Sequence, residues 1–241
     1  MEIISYKGVL SYDELEPLEV ASFGDGAATK IQFDERMEGP YWTVRENGNL
    51  IGFMHADLRE GVLHIARIEV ARDFRRRGIA WRLLDAARAF AQDVGAQGLL
   101  LRVRGDNQGA RALYTKYGFR ETGRIQRRFA CPLERLAVET DLRVKKDGTG
   151  YKYPVRLLRD VREIGAGQFN EEVSGIKDFT LTDPDVYLLP ALAALKPLLK
   201  PGNEILYVMT DNDAVNAACQ ARKFFLQSSI LDMTYDIVLR P

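Results

Sequence analysis

The sequence predicts an α/β protein with a mixed, mostly antiparallel central sheet flanked by helices, followed by a second, shortened half of similar design. Three observations carry this. Residues 41–70 are rich in aromatic and β-branched side chains and broken twice at turn signals. Residues 71–119 then alternate helix-periodic and strand-like segments. The strand–helix part recurs at an offset of 105 residues. At 241 residues the chain can bury one large core or two small ones.

In chain order, "YDELEPLEV" (12–20) mixes acidic and apolar residues as a helix does, with Pro17 expected to shorten it and Gly24 and Gly26 ending the region. A second helical stretch covers roughly 28–38. From Tyr41, three strands are separated at "ENGN" and "REG", the first an Asn-Gly turn suited to a tight hairpin. The third strand runs about His64–Val70. Next, Ile79, Leu83, Ala87, Phe90 and Val94 share one helical face, with Gly95 at the C-terminal cap. "GLLLRVRGDN" is a buried strand, and "NQGARALYTKYGF" a helix aligning Ala110, Leu113, Tyr114 and Tyr117 and stopped by Gly118.

In the repeat, "LLRVRGDN" (100–107) lies over "ILYVMTDN" (205–212), "RDF" (72–74) over "KDF" (177–179), and Phe119 over Phe224. About 40 residues, 136–176, stand where the first copy uses about 70, and "KKDGTG" there reads as a hairpin turn. The expected division is 1–135 and 136–241.

The net charge is zero, which argues against a whole-chain nucleic-acid footprint or a polybasic membrane anchor. The zero hides a segregation, with residues 1–66 at −7, 67–128 at +9 and 129–241 at −2. A basic middle suggests a local anionic ligand, or simply basic side chains on solvated helix faces. Cys131 and Cys219 fit no metal-ligand spacing, and with two histidines in the chain no metal site is expected. No signal-peptide pattern and no uninterrupted apolar run of membrane-spanning length stands in the sequence, so the expectation is a cytoplasmic protein without membrane association.

The sharpest motif is "RRRGIA", Arg75–Ala80, between a strand and a helix. Gly78 lets the backbone turn tightly and approach a ligand. The following helix offers free N–H groups and a positive dipole end. Arg75, Arg76 and Arg77 add permanent charge. Together these suit a diphosphate. With one glycine and no Gly-Lys-Ser/Thr, the loop is neither a Walker loop nor G-x-G-x-x-G.

Residues 68–119 resemble the Gcn5-related N-acetyltransferase (GNAT) superfamily. Arg75, Gly78 and Ala80 match its Arg/Gln-x-x-Gly-x-Gly/Ala loop, and Asn107, Ala110, Tyr114, Gly118 and Phe119 match its following helix. The resemblance covers 1–135 in element order and 136–241 only through the repeat, which implies a tandem GNAT arrangement. It implies an acetyl-CoA-dependent N-acetyltransferase, an acyltransferase using acetyl-CoA as cosubstrate. Backbone groups of Ile68, Glu69 and Val70 would face the pantetheine arm as an added strand. Arg75, Arg76, Arg77, Gly78, Ile79 and Ala80 would wrap the pyrophosphate. Asn107, beside Ala110, would bond the arm near its middle. Tyr114 would lie near the sulfur, as general acid or as a hydrogen-bond donor to the developing thiolate, unless it is only a core aromatic.

Transfer also needs a proton removed from the amine, since an alkylammonium of pKa ≈ 10.4 is only about 0.04% neutral at pH 7. His64 is one candidate base, at a position where some family members place histidine or glutamate. Glu69 is the other candidate base, although strand alternation puts it on the face opposite His64 unless a bulge intervenes. His55 and a water chain are further options. Neither cysteine stands near a histidine in sequence, which favours direct transfer over an acyl-cysteine route.

The aligned loop of the second half, "LTDPD" (181–185), replaces Gly78 by Asp183 and carries two acids, while Cys219 stands at the Tyr114 position. That half therefore reads as a degenerate copy without cofactor binding. Asp13, Glu14, Glu16, Glu19, Asp34, Glu35 and Glu38 suggest a cationic acceptor, and an appended half that walls off a cleft favours a small-molecule amine. A protein N-terminus or lysine as acceptor, a non-catalytic acyl-CoA-binding sensor, a longer acyl group, and a monomer or homodimer all stay open.

Overall fold

The structure is a computed structural model that describes residues 2–24 and 29–237, so Gly26 lies outside the described residues. Two compact units divide the chain. The first holds residues 1–103, 107–122 and 232–241, and the second holds 104–106 and 123–231.

In the first unit, α1 (Tyr12–Phe23) and α2 (Lys30–Met37) lie between β1 (Glu2–Tyr6) and β2 (Tyr41–Glu46). A capping box starts α1: the Ser11 hydroxyl accepts from the Glu14 N–H, and the Glu14 carboxylate accepts from the Ser11 N–H. Pro17 does not shorten this helix, which continues to Phe23. The carbonyl that Pro17 leaves without a donor belongs to Asp13, an exposed residue, so water can satisfy it.

Strands β2, β3 (Asn49–Arg59) and β4 (Val62–Val70) form the expected antiparallel meander. Asn47 and Gly48 both take positive φ, as the Asn-Gly turn requires. Helix α3 (Ile79–Asp93), β5 (Gly98–Arg104) and α4 (Gln108–Tyr117) follow. The buried face of α3 is Ile79, Leu83, Leu84, Ala87 and Ala91. Val94 is 43% exposed rather than part of that face, because the helix ends one residue before it and Gly95 turns with φ +70. Among the described residues no helix is long and apolar enough to cross a membrane.

The strand order in this unit is β1-β2-β3-β4-β5, with the end of β12 (Phe225–Asp236) beside β5. The end of β12 thus adds a strand beside β5 in the first unit. The Ile237 N–H donates to Gln97 O at 2.9 Å. Tyr235 packs on Tyr117 and Phe119, each ring 5.6 Å away. A Cβ on Gly98 would come within 2.7 Å of the Tyr235 carbonyl, so only glycine lets the two backbones meet there.

The second unit contains most of β6 (Arg120–Pro132), then β7 (Arg143–Lys146), β8 (Lys152–Arg159), β9 (Arg162–Asn170), β10 (Gly175–Leu181), α5 (Pro184–Leu195), β11 (Ile205–Thr210) and α6 (Asp213–Ala221). Its strand order is β6-β11-β10-β9-β8-β7. β7 and β8 make the expected hairpin, with no helices between them to match α1 and α2, which accounts for the short front of this copy. The offset of 105 holds from α3 onward. Ile79 and Pro184 begin equivalent helices, Asn107 and Asn212 cap equivalent helices, and Arg120 and Phe225 begin equivalent strands.

A single cut near Arg135 does not describe the units. Most of β6 belongs with the second and the end of β12 with the first. Strand character is readable in a sequence, but the sheet that a strand joins is not.

Replacing Tyr235 by Ala removes two aromatic contacts and their burial, and should lower the stability of the first unit by about 2–3 kcal/mol. Urea unfolding followed by a probe in that unit checks this. A change below about 0.5 kcal/mol, the range of an ordinary surface substitution, would contradict the packing role.

Candidate active site

The site begins with a register break. β4 pairs with β3 from Arg59↔Val62 to Ala56↔Ile65, then resumes at His55↔Arg67, which leaves Ala66 as an extra, exposed residue. The parallel ladder of β4 with β5 runs from Val62↔Gly98 to Ile65↔Leu101, ending where the bulge begins. Beyond it, β4 continues to Val70 with β3 on one side and an opening on the other.

Which backbone groups face the opening follows from the ladder. The Ala71 N–H donates to Ile51 O at 2.9 Å, so β4 turns its groups toward β3 at Ala71 and, two residues back, at Glu69. Those of Ile68 and Val70 point away from β3. The grouping of Ile68, Glu69 and Val70 is corrected accordingly, since the Glu69 backbone belongs to the ladder with Phe53.

The bulge also settles the relation between His64 and Glu69. His64 stands opposite Asp57, Arg67 opposite His55 and Glu69 opposite Phe53. Asp57, His55 and Phe53 alternate on one face of β3, the face where Phe53 packs with Leu15, Leu18 and Phe33 of α1 and α2. The extra residue therefore brings His64 and Glu69 to the same face, where unbroken alternation would have separated them. Glu69 is buried, as are Glu19 and His55. Arg67 lies 3.9 Å from Glu19 and 4.0 Å from the centre of the Phe23 ring. His55 Nε2 is 3.7 Å from Asp57 Oδ1.

His64 is half-buried. Its burial, with the Arg59 and Arg102 guanidiniums, lowers its pKa from the ordinary imidazole value, while Asp57 and Asp232 oppose that shift. Near pH 7 the imidazole is neutral and able to accept a proton.

After Val70, eight residues (71–78) lead to α3. Arg76 has φ +64, and Gly78, at the helix N-cap, has φ +78. A Cβ on Gly78 would meet nothing within 4 Å. Glycine is needed there for its left-handed backbone, and open space lies beside it. The first N–H groups of α3 have no intrahelical acceptors, as an anion cradle at a helix N-terminus requires. The arginines divide their work. Arg75 Nε donates to Val70 O at 3.0 Å, Arg77 pairs with Glu46 at 2.7 Å, and Arg76 is exposed.

Asn107 Oδ1 accepts from the Ala110 N–H at 3.1 Å, capping α4 and leaving its amide NH2 as the donor side. Tyr114 is buried, and burial pushes its phenol up to about 12. Its ring packs edge-on against Phe119 at 5.9 Å. Both cysteines are free and buried, and burial raises both thiols, which opposes a cysteine nucleophile. Of the acidic residues in the front segment, Glu14 is engaged by Arg45 and the capping box, and Glu16 accepts from Tyr12. The Glu35 side chain lies outside the described residues.

The second unit lacks this cradle for a stronger reason than charge reversal. Only Thr182 and Asp183 separate β10 from α5, against eight residues in the first unit, so the loop is missing rather than altered. "KDF" falls inside β10, whereas "RDF" is a helical turn after β4. That pair of matching triplets is therefore not structurally equivalent. Pro184 opens α5 without an N–H to offer. The Thr210 hydroxyl donates to Phe179 O at 2.7 Å, which fills the place where β10 and β11 would part.

Residues 11–119 match the model of the acetyltransferase (GNAT) family. The whole chain overlays a tandem GNAT protein from the clavulanic acid biosynthesis pathway with a TM-score of 0.71 and 14% identity, covering 99% of both chains. It overlays a GCN5-related N-acetyltransferase from Sphaerobacter thermophilus with a TM-score of 0.69 and 14% identity, covering 99% of this chain and 96% of that one. At such identities these likenesses establish the fold. GCN5-related N-acetyltransferase 4, chloroplastic, of Arabidopsis thaliana is 39% identical over 62 residues, which are 26% of this chain and 21% of that protein. Residues 11–119 thus match the GNAT family, and the chain as a whole has the fold of a tandem GNAT protein.

Proposed function

We propose that the first unit transfers an acetyl group from acetyl-CoA to a primary amine by direct attack, with a small cationic amine as acceptor. The observation that carries this reading is the opening of β4 from β5 after Ile65, with Ile68 and Val70 facing it and the Gly78 cradle at its end. These groups fit an amide-bearing arm that ends in a diphosphate. Acetyl-CoA supplies the activated acetyl thioester.

His64 accepts the amine proton. Tyr114 serves as a hydrogen-bond donor to the departing sulfur rather than as a full proton donor. Burial raises the phenol further above the ordinary thiol value of ≈ 8.5, so complete transfer would run uphill. The buried Glu69 on the α1 face supports a cationic acceptor, whereas Glu19 is already beside Arg67. The two free, buried cysteines are in keeping with a reducing, cytoplasmic setting.

Free-thiol release from acetyl-CoA with a panel of polyamines, amino sugars, amino acids and peptides tests the activity and sorts the acceptors. Tight coenzyme binding without turnover of any amine would replace the enzyme reading with that of an acyl-CoA sensor. Gly78→Asp should weaken coenzyme A binding at least about 100-fold by calorimetry. It adds a like charge at the cradle and costs ~1–2 kcal/mol of left-handed strain. Unchanged affinity would remove the loop from the site.

Tyr114→Phe should lower kcat about 10- to 100-fold, the worth of one charge-assisted hydrogen bond, with little change in coenzyme affinity. A fully active variant would make Tyr114 a packing residue. Because its pKa is lowered, His64 is unprotonated at neutral pH, and kcat/KM should fall only as pH drops through a midpoint below the ordinary histidine value. His64→Ala should abolish that acid limb, and an intact limb would pass the role to Glu69 or water.

A further inference from the structure

The surroundings of His64 include a residue from the end of the chain. The Ile237 N–H bonds Gln97 O, so Asp232, five residues before Ile237, stands opposite Arg102, five residues after Gln97. The side chains meet there, Arg102 Nε donating to Asp232 Oδ1 at 3.1 Å. Asp232 is 5% exposed and Arg102 reaches toward solvent with 43% of its side chain exposed. His64 stands beside Leu100 in the β4–β5 ladder, and Arg102 lies two residues on, on the same face.

We propose that Arg102 and Asp232 form a positioning pair for His64, an ionic couple fixed beside the imidazole that places the operating pH of the proton acceptor under the control of the last strand. The proposal rests on the reading of His64 as the base. It goes beyond that reading by assigning a role in the first unit's chemistry to a residue encoded within the second repeat.

The other titratable and charged groups around this face come from β3, β4 and α1, among them His55, 3.7 Å from Asp57. Asp57 lies directly across from His64, with Arg59 two residues on in β3 and bonded to Asp57 at 2.9 Å. Farther along β4 lie Arg67, close to Glu19 of α1, and Glu69. Asp57 and Arg59 form one local couple, and Arg102 and Asp232 form the other. The second couple differs in being half buried, and a buried carboxylate cannot be replaced by solvent as a surface one can. Opposite charges on the two partners mean that removing either should move His64 in opposite directions.

The chain has two histidines, so imidazole resonances can be assigned with one His64→Gln variant and followed by NMR in the ligand-free protein. Arg102→Gln should move the His64 titration midpoint up, because a neighbouring cation is lost. Asp232→Asn should move it down, because the carboxylate is lost and Arg102 remains. Arg102→Lys, which keeps the charge, should stay close to the parent protein. If Asp232→Asn fails to fold, the Arg102 pair of variants decides alone. A midpoint that does not move in Arg102→Gln, or moves equally in Arg102→Gln and Arg102→Lys, overturns the pair.

The acid limb of kcat/KM should shift with the NMR midpoint. If the midpoint shifts and the limb does not, the pair acts on His64 but His64 is not the base. That outcome overturns the catalytic role of the pair and separates it from a failure of the electrostatic coupling.

Discussion

One inserted residue sets the geometry of the first unit. With Ala66 added to β4, the strand keeps its ladder with β3 but leaves its ladder with β5 after Ile65. The same insertion resets the alternation, so His64, Arg67 and Glu69 share the face covered by α1 and α2. The parting of β4 from β5 and the polar surface beside it thus have one cause. A bulge costs little, because it sacrifices one ladder position while both strands keep their other partners. An ordinary β-strand with unbroken pairing would have neither feature.

The second unit shows what happens when the bulge is kept and the surroundings change. β10 is irregular around Asp178, which has φ +52, and its parallel ladder with β11 likewise ends at the preceding residue, Lys177. Here the Thr210 hydroxyl bonds Phe179 O, the loop to the next helix has shrunk to two residues, and Pro184 removes an N–H from the helix start. Opening, loop and helix terminus each differ from those of the first unit. The unit retains a core built around Phe129, Phe169, Phe179 and Leu206, so its fold persists where its groove does not.

The local devices were legible in the sequence because each depends on nearby residues. Asn47-Gly48 needs positive φ at both positions, Gly78 needs a left-handed cap, and the spacing of Ile79, Leu83 and Ala87 marks a buried face. Non-local features were not legible. The insertion at Ala66 exists only relative to β3, and an unbroken 2-residue alternation gave the wrong answer for Glu69 against His64. Strand β1 carries no strong alternation of its own and is identified by its pairing with β2. The assignment of the end of β12 to the first unit depends on contacts such as Ile237 with Gln97, far apart in sequence. Aligning the repeats at a constant offset made the missing loop of the second unit look like a charge substitution, because the six residues set against 71–76 belong to β10.

The account turns on the backbone of β4 beyond the bulge, and amide hydrogen exchange reads it residue by residue. On saturation with coenzyme A, the N–H groups of Ile68 and Val70 and those at the start of α3 should gain protection. Glu69, already in the ladder with Phe53, and Gly175–Leu181 of the second unit should not change. Protection that appears in β10 and at Asp185 and Val186 while Ile68 and Val70 exchange as before would contradict it.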